Sequence, residues 1–268
     1  MQSTVAVEII EGVAEVRLAR EDKLNALDEA MISDLIAAGQ QLRADPSVRV
    51  AVLSGQGRAF CAGLDLSRLA GHTQGEPGER EPASQLTTRA HGPANALQYA
   101  VLIWREAAFP VIAAVHGIAF GGGFQLMLGA DMRYVTADAQ LGVLEIQWGL
   151  VPDMAGTQLM RHLASEDVIR ELTYTGRIIS GVEAQAMGLA TRVCQDPRAE
   201  ALTVARGIAR QSPDAVRAAK RLFNAAPYHG LAEGLALESF EQTRLLDSTN
   251  QREAVAARLQ KRDPNFSD

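Results

Sequence analysis

Three segments of this sequence combine small residues and carboxylates in ways that could do chemistry. The first is Arg58-Ala59-Phe60-Cys61-Ala62-Gly63-Leu64-Asp65-Leu66. Ala62 and Gly63 allow a ligand to approach the main chain closely, and an N–H in such a bend can point at an anionic oxygen. Taken alone, this is also what an ordinary turn after a strand looks like. The second segment is Gly117 to Gly123, which ends in three consecutive glycines where a helix should begin. Glycine loses more conformational freedom on folding than any other residue. A run of three therefore implies close backbone approach, either by a ligand at the positive end of a helix or by a neighbouring strand. No Gly-Lys-Ser/Thr follows and the GxGxxG spacing is absent, so this is not a phosphate loop. The third segment runs from Glu145 to Thr157 and carries Glu145 and Asp153 in apolar surroundings. Desolvation there raises a carboxyl pKa toward the range useful for proton transfer. Asp153 has a second reading, as the cap of a helix beginning near Met154.

The elements that must position these segments follow from patterning. Val5 to Ile10 and Val13 to Leu18 are β-branched runs joined by Glu11-Gly12, which predicts a hairpin. Asp28 precedes Met31, Ile32, Leu35, Ile36, Gly39 and Leu42 at helical spacing, and Pro46 follows. Val48 to Ser54 and Val111 to Val115 are nearly continuous apolar runs, as expected of strands buried on both faces. A helix is expected from Phe124 to Gly129, strands at Met132 to Thr136 and Thr191 to Cys194, and helices at Ser165 to Thr175 and Gly181 to Met187. Gly71 to Asn95 is polar and glycine-rich, with Leu86 its one large aliphatic residue, and reads as a covering loop or a plain surface insertion. After about Pro197 the strands stop. Helical patterns follow at Ala199 to Arg210, Pro213 to Ala225, His229 to Asp247 and Asn250 to Arg262. The expected organisation is an α/β core over residues 1–197 and a helical region over 198–268.

With 268 residues, 47% hydrophobic and 22% charged, the chain can bury one large core and is neither disordered nor fibrous. Its two cysteines fit a reducing compartment and no zinc site. A net charge of -6 argues against nucleic acid, which demands a concentrated basic surface. Met1 to Val7 lacks a basic, apolar leader, and no stretch reaches the roughly 20 apolar residues that span a bilayer. The expectation is a cytoplasmic protein without membrane or nucleic-acid partners.

Taken in order, the three segments resemble the crotonase superfamily (enoyl-CoA hydratase/isomerase family). The resemblance extends from Leu18-Ala19-Arg20 and Lys23-Leu24-Asn25-Ala26-Leu27 to Gln260-Lys261-Arg262, Pro264 and Phe266. It implies an α/β fold, a spiral of repeated ββα units, followed by C-terminal helices that build a homotrimer or dimer of trimers. It implies an acyl-CoA thioester substrate, with coenzyme A as part of the substrate and neither prosthetic group nor metal. The oxyanion hole of the resemblance falls on the N–H groups of Leu64 and Gly122. Coenzyme A would lie along Lys23, Leu24 and Ala26 and along Ala62, Gly63, Leu64, Asp65 and Leu66. Arg20 or Lys23 would sit near its phosphates, and Lys261 would reach in from the tail of the same or a neighbouring subunit.

Glu145 matches the second glutamate of the similar hydratases and becomes the expected main acid/base, with Asp153 assisting. Their first glutamate is here Gln125, which can orient water but cannot accept its proton. Three readings stay open: an enzyme of hydratase/isomerase type, an enoyl-CoA or dienoyl-CoA double-bond isomerase without hydratase activity, and a non-catalytic acyl-CoA-binding protein.

Overall fold

The computed structural model describes residues 3–65 and 84–268, so Leu66 and most of the expected covering loop lie outside the described residues. Strands β1 (Val5–Ile10) and β2 (Val13–Leu18) form the expected hairpin, with Glu11 and Gly12 both at positive φ, 50° and 79°. A two-residue turn with that geometry matches the twist of the strands it joins. Helix α1 (Glu29–Ala44) follows, its N-terminus capped by the Asp28 carboxylate, which accepts from Met31 N at 2.8 Å. Then come β3 (Val50–Gly55), α2 (Ala96–Arg105), β4 (Val111–Val115), β5 (Ile118–Phe120), α3 (Gly122–Leu128), β6 (Met132–Val135) and β7 (Gln140–Gly142). A 3-10 turn at Glu145–Trp148 leads to α4 (Gly156–Met160), α5 (Glu166–Thr175), β8 (Ile179–Ser180), α6 (Gly181–Ala186) and β9 (Arg192–Val193). Helices α7 (Pro197–Ala209), α8 (Pro213–Ala225), α9 (Leu231–Leu245) and α10 (Thr249–Gln260) complete the chain.

The strands sort into two sheets. A six-stranded sheet has the order β1-β2-β3-β4-β6-β9, and a three-stranded sheet has the order β5-β7-β8. Each successive turn of the chain gives one strand to the large sheet and one to the small: β4 then β5, β6 then β7. The segment after β3 joins this rhythm through the parallel bridge between Cys61 and Ala119. This is the spiral of ββα units.

In the large sheet, β2, β3, β4, β6 and β9 pair in parallel, with Leu18 opposite Gly55 and Ser54 opposite Ala114. The loops after β2, β3 and β4 therefore leave from one edge. The carboxyl ends of parallel strands are where α/β sheets present ligand sites.

The alternating side chains of the central strands feed two cores. Ala51, Leu53, Val111, Ala113 and Val115 pack with α1 and α2 around Leu35, Ile103 and Trp104. Val50, Val52, Ile112 and Ala114 pack with Ala201, Ala205 and Ala209 of α7. Both faces of β3 and β4 are buried, as their apolar runs predict. Helix α7 lies beyond the expected 197/198 division and covers the second face of the sheet.

Helix α8 is tied down by Lys220, whose buried ammonium donates to Trp104 O, Phe109 O and Asp131 Oδ2 at 2.8–3.1 Å. Among the described residues, no helix is long and apolar enough to cross a membrane.

Candidate active site

The loop after β2 is built around Asn25. Leu24 and Asn25 both adopt left-handed backbone, φ 51° and 56°. The Asn25 side chain is fully buried; its Oδ1 accepts from Arg20 N, and its Nδ2 donates to Gln56 O and Ala59 O, all at 2.9 Å. One buried amide thus ties the loop after β2 to the loop after β3.

The next residues are strapped to the same loop. Ala62 N donates to Leu24 O at 2.9 Å, Leu27 N to Gly63 O at 2.7 Å and Asp65 N to Leu27 O at 3.0 Å. Everything around Leu64 is pinned, while the Leu64 N–H itself has no partner among the described residues.

On its other side this segment pairs with the strand after β4. Phe60 N donates to His116 O, Cys61 N to Ile118 O and Phe120 N to Cys61 O, at 2.9–3.1 Å. That pairing carries Gly63 against the glycine triplet. A β-carbon on Gly63, whose φ is 85°, would lie 2.5 Å from Phe120 O and 3.5 Å from the Gly122 nitrogen.

The three glycines have three different reasons. Gly121 precedes α3 with φ 49° and ψ -117°, a conformation closed to other residues. A β-carbon on Gly122 would meet Met154 Sδ at 2.7 Å and Leu27 Cδ1 at 2.8 Å, and one on Gly123 would meet Cys61 O at 2.3 Å. Helix α3 begins at Gly122, two residues before the expected start, so the Gly122 N–H is an end donor that the helix cannot satisfy. The Leu64 and Gly122 amides, both unpaired among the described residues, thus belong to adjoining bends. Two such donors can hydrogen-bond one oxygen as charge builds on it.

Glu145 stands beside them. Its Oε1 would be 3.4 Å from a β-carbon on Gly121, and Gly121 N is held by Gly142 O at 2.9 Å. Oε1 accepts from Gln125 Nε2 at 2.5 Å, whereas Oε2 is buried without a hydrogen-bond partner among the described residues. Burial raises the Glu145 pKa and the nearby Asp153 charge adds to this; the main-chain N–H of Glu145, the Gln125 amide and the Leu144 N–H act the other way. A carboxyl held in this way, with one oxygen fixed and one unpartnered among the described residues, is suited to take and return a proton.

Several expectations change against this geometry. Gln125 is fully buried, and its Oε1 accepts from Met154 N and Gly156 N, both at 2.9 Å. With its other end on Glu145, it braces a carboxylate and is not turned toward water.

Asp153 is not a helix cap: α4 begins at Gly156 and its N-cap is Ala155, at φ 65° with no side-chain cap bond. Part of Asp153 reaches solvent, yet the protein around it raises its carboxyl above the usual range.

Arg20 is not free for phosphate. It bonds Asp65 Oδ2 at 2.9 Å, Asp28 Oδ2 at 3.1 Å and Ala26 O at 3.1 Å, which makes it a strut between the loops. Asp65 and Ala26 are buried, and Arg20 itself is half-buried. Lys23 is exposed and has no ion-pair partner among the described residues, and Leu24 and Ala62 are half-buried beside it.

Lys261 is not brought to this edge of its own chain. It ends α10 at φ 52° and lines a cleft of about 570 Å³ with Arg210, Arg258 and Arg262. That end of the molecule is fastened to Arg49, just ahead of β3, through Ala209 O, Phe266 O and Asp268. Leu64 follows the far end of β3.

Two lining residues escape a reading of the sequence, Leu27 and Met154, which flank Gly122. Both sit inside recognised segments, and only the packing on Gly122 reveals them.

The family model described as Enoyl-CoA hydratase/isomerase matches residues 8–268. The chain is 34% identical over 265 residues to bovine (Bos taurus) enoyl-CoA hydratase domain-containing protein 2, mitochondrial, covering 96% of this chain and 84% of the relative. It is 31% identical over 277 residues to the peroxisomal Delta(3,5)-Delta(2,4)-dienoyl-CoA isomerase of Arabidopsis thaliana, covering 100% and 99%. The crystal structure of an enoyl-CoA hydratase from Bacillus anthracis superposes with a TM-score of 0.88 at 30% identity, covering 98% of each chain. With two glycine-lined bends and a desolvated glutamate on a ββα spiral, this chain belongs to the enoyl-CoA hydratase/isomerase family of the crotonase superfamily.

Proposed function

We propose that the protein shifts the double bond of an enoyl-CoA or dienoyl-CoA thioester, with Glu145 as the one proton carrier. The thioester oxygen accepts from the Leu64 and Gly122 N–H groups. Glu145 Oε2 removes a proton from one carbon, the negative charge passes to the oxygen, and the same proton returns at another carbon. Atoms balance without a cofactor, and coenzyme A leaves as it entered, bound to the acyl group. Donors preset toward the developing oxyanion are worth about 3–4 kcal/mol each.

The observation that carries this reading is the state of Gln125. Both ends of its amide are engaged, so the carboxylate that would accept a proton from water in a two-glutamate hydration has no counterpart at that position. Hydration remains a second reading, favoured by the solvent-reaching Asp153 and its raised pKa, which would make it the other acid. The exposed Phe223, Leu231, Phe240 and Leu259 on the C-terminal helices support assembly as a homotrimer or dimer of trimers, which would bring Lys261 to a neighbouring subunit's substrate.

The test is turnover of trans-2-enoyl-CoA, 3-enoyl-CoA and dienoyl-CoA by purified protein. Interconversion of the double-bond isomers, with 3-hydroxyacyl-CoA forming far more slowly, is the expected result. Hydration as the faster reaction would overturn it in favour of the second reading. Coenzyme A binding without turnover of any substrate would leave a binding protein.

A further inference from the structure

We infer that Gln125 is a positioning residue. It holds one oxygen of Glu145, leaves the other as the single point of proton exchange, and locks that carboxylate to the turn carrying Asp153 and Met154. The inference rests on the reading of Glu145 as the proton carrier and adds what sets its orientation.

The amide has one allowed orientation. Its Oε1 meets two main-chain donors, Met154 N and Gly156 N, each at 2.9 Å. Rotating the amide by 180° would face its NH₂ toward those two N–H groups, so Nε2 must be the end that meets Glu145. The side chain has no room to move: a β-carbon on Gly156 would lie 2.6 Å from Gln125 Oε1 and 2.7 Å from its Cγ. It is fully buried and sits on α3, the same helix whose first residue is Gly122.

Three parts of the site therefore share one brace. From α3, Gln125 reaches Glu145 on the 3-10 turn and the main chain of Met154, whose sulfur packs over Gly122. Asp153 directly precedes Met154, whose main-chain N–H is anchored on the same amide that holds Glu145.

The charged surroundings of Glu145 are sparse. Asp153 acts on it and raises its pKa, while Arg177, just beyond α5, which packs on the 3-10 turn, is paired with Glu171 and Glu183. The Gln125 amide is the side-chain donor that favours the ionised form. Removing it must make the carboxylate harder to ionise.

The test compares wild type with Gln125→Met, which keeps length and loses the hydrogen bonds, and Gln125→Glu, which keeps an acceptor for Met154 N and Gly156 N. Two quantities are read: the acidic limb of the kcat–pH profile, and the Glu145 carboxyl titration by 13C NMR, assigned by its loss in Glu145→Gln. For Gln125→Met both should move upward by about one pH unit, the equivalent of one lost charge-assisted hydrogen bond. For Gln125→Glu the two carboxyls should titrate as a coupled pair in two separated steps, one below and one above the wild-type value, because they share a proton. In both variants kcat should fall more than KM rises.

A purely structural glutamine would lower thermal stability and leave both titrations where they are, and that result overturns the inference. If Gln125→Met fails to fold, Gln125→Glu decides alone. If the wild type turns over no enoyl-CoA, the functional reading fails. The NMR titration still decides whether Gln125 controls Glu145.

Discussion

Replacing Gly63 by alanine tests the core of the mechanism with the smallest possible change. The new β-carbon would lie 2.5 Å from Phe120 O and 3.3 Å from Phe120 C. That is about 1 Å short of a comfortable contact, and the obstacle is main chain, so no rotamer change relieves it. Gly63 must also hold φ at 85°, which for an L-residue adds about 1–2 kcal/mol of strain.

A domain of ordinary stability survives that strain. The bends at Leu64 and Gly122 do not survive it in register. A misplacement of about 1 Å at reacting groups lowers rate by about 10²-fold, and outright loss of one oxyanion donor by about 10²–10³-fold. The assay is kcat for double-bond migration in an enoyl-CoA, with circular dichroism and Tm on the same samples. Gly92→Ala is the control. Its φ is 61° and nothing lies within 4 Å of its β-carbon, so it carries the backbone strain without the collision. Gly63→Ala should lose at least about 10² in kcat relative to Gly92→Ala. If the folded variant stays within about threefold of that control, the two amides are not the groups that stabilise the transition state.

Glu145→Gln should reduce turnover by about 10²–10⁴-fold while coenzyme A binding persists, measured by steady-state kinetics and calorimetry; an active Glu145→Gln variant would remove Glu145 from the mechanism. The same variant has a pH signature in stability. Burial lifts the folded-state carboxyl of Glu145 above its unfolded value of about 4.3, so stability present below that value is lost as pH rises through the folded pKa. The Tm of Glu145→Gln relative to wild type should therefore be more favourable at pH 8 than at pH 4. Arg20→Met breaks the strut to Asp28 and Asp65. It should lower Tm by several degrees and kcat markedly while leaving the Kd for coenzyme A within about threefold, whereas a loss confined to coenzyme A affinity would restore the phosphate-binding role. Gly207→Ala, inside α7 with open space around its β-carbon, should stabilise by about 0.5–1 kcal/mol, read as a rise in Tm of a few degrees.

Much of the fold is legible because it is written in long, regular patterns. The β1–β2 turn is marked by Gly12 between two β-branched runs, and α1 announces itself by Asp28 and a six-position apolar stripe. The continuous apolar runs of β3 and β4 signal burial on both faces, although nothing in them reveals that the second cover would be Ala201, Ala205 and Ala209 of α7. The strands of the small sheet are two or three residues long, too short to show a period, and so escape notice in the sequence. The cost is functional, since β5 is the strand against which Cys61 aligns Gly63 beside the glycine triplet. Helix α2 escapes notice too, although Asn95 and Gln98 form a capping box at its start.

The candidate site divides differently. Backbone donors are legible because glycine and alanine cluster at bends where the main chain must come close to something, and each glycine of the triplet proves to be required for its own reason, Gly121 by its backbone angles and Gly122 and Gly123 by close contacts. Charged side chains are not, because a sequence gives the type of a group without its partner. Arg20 reads as a cation available for phosphate until Asp28 and Asp65 are seen on either side of it. Asp153 reads as a cap until the helix is found to start beyond it. Gln125 carries the larger lesson. In a desolvated pocket each added carboxylate makes the next harder to ionise, so the number of acids there limits the chemistry. An amide at position 125 relieves that competition and donates to Glu145, so the substitution that weakens two-acid hydration is the one that makes a single carboxylate easier to keep charged and correctly turned.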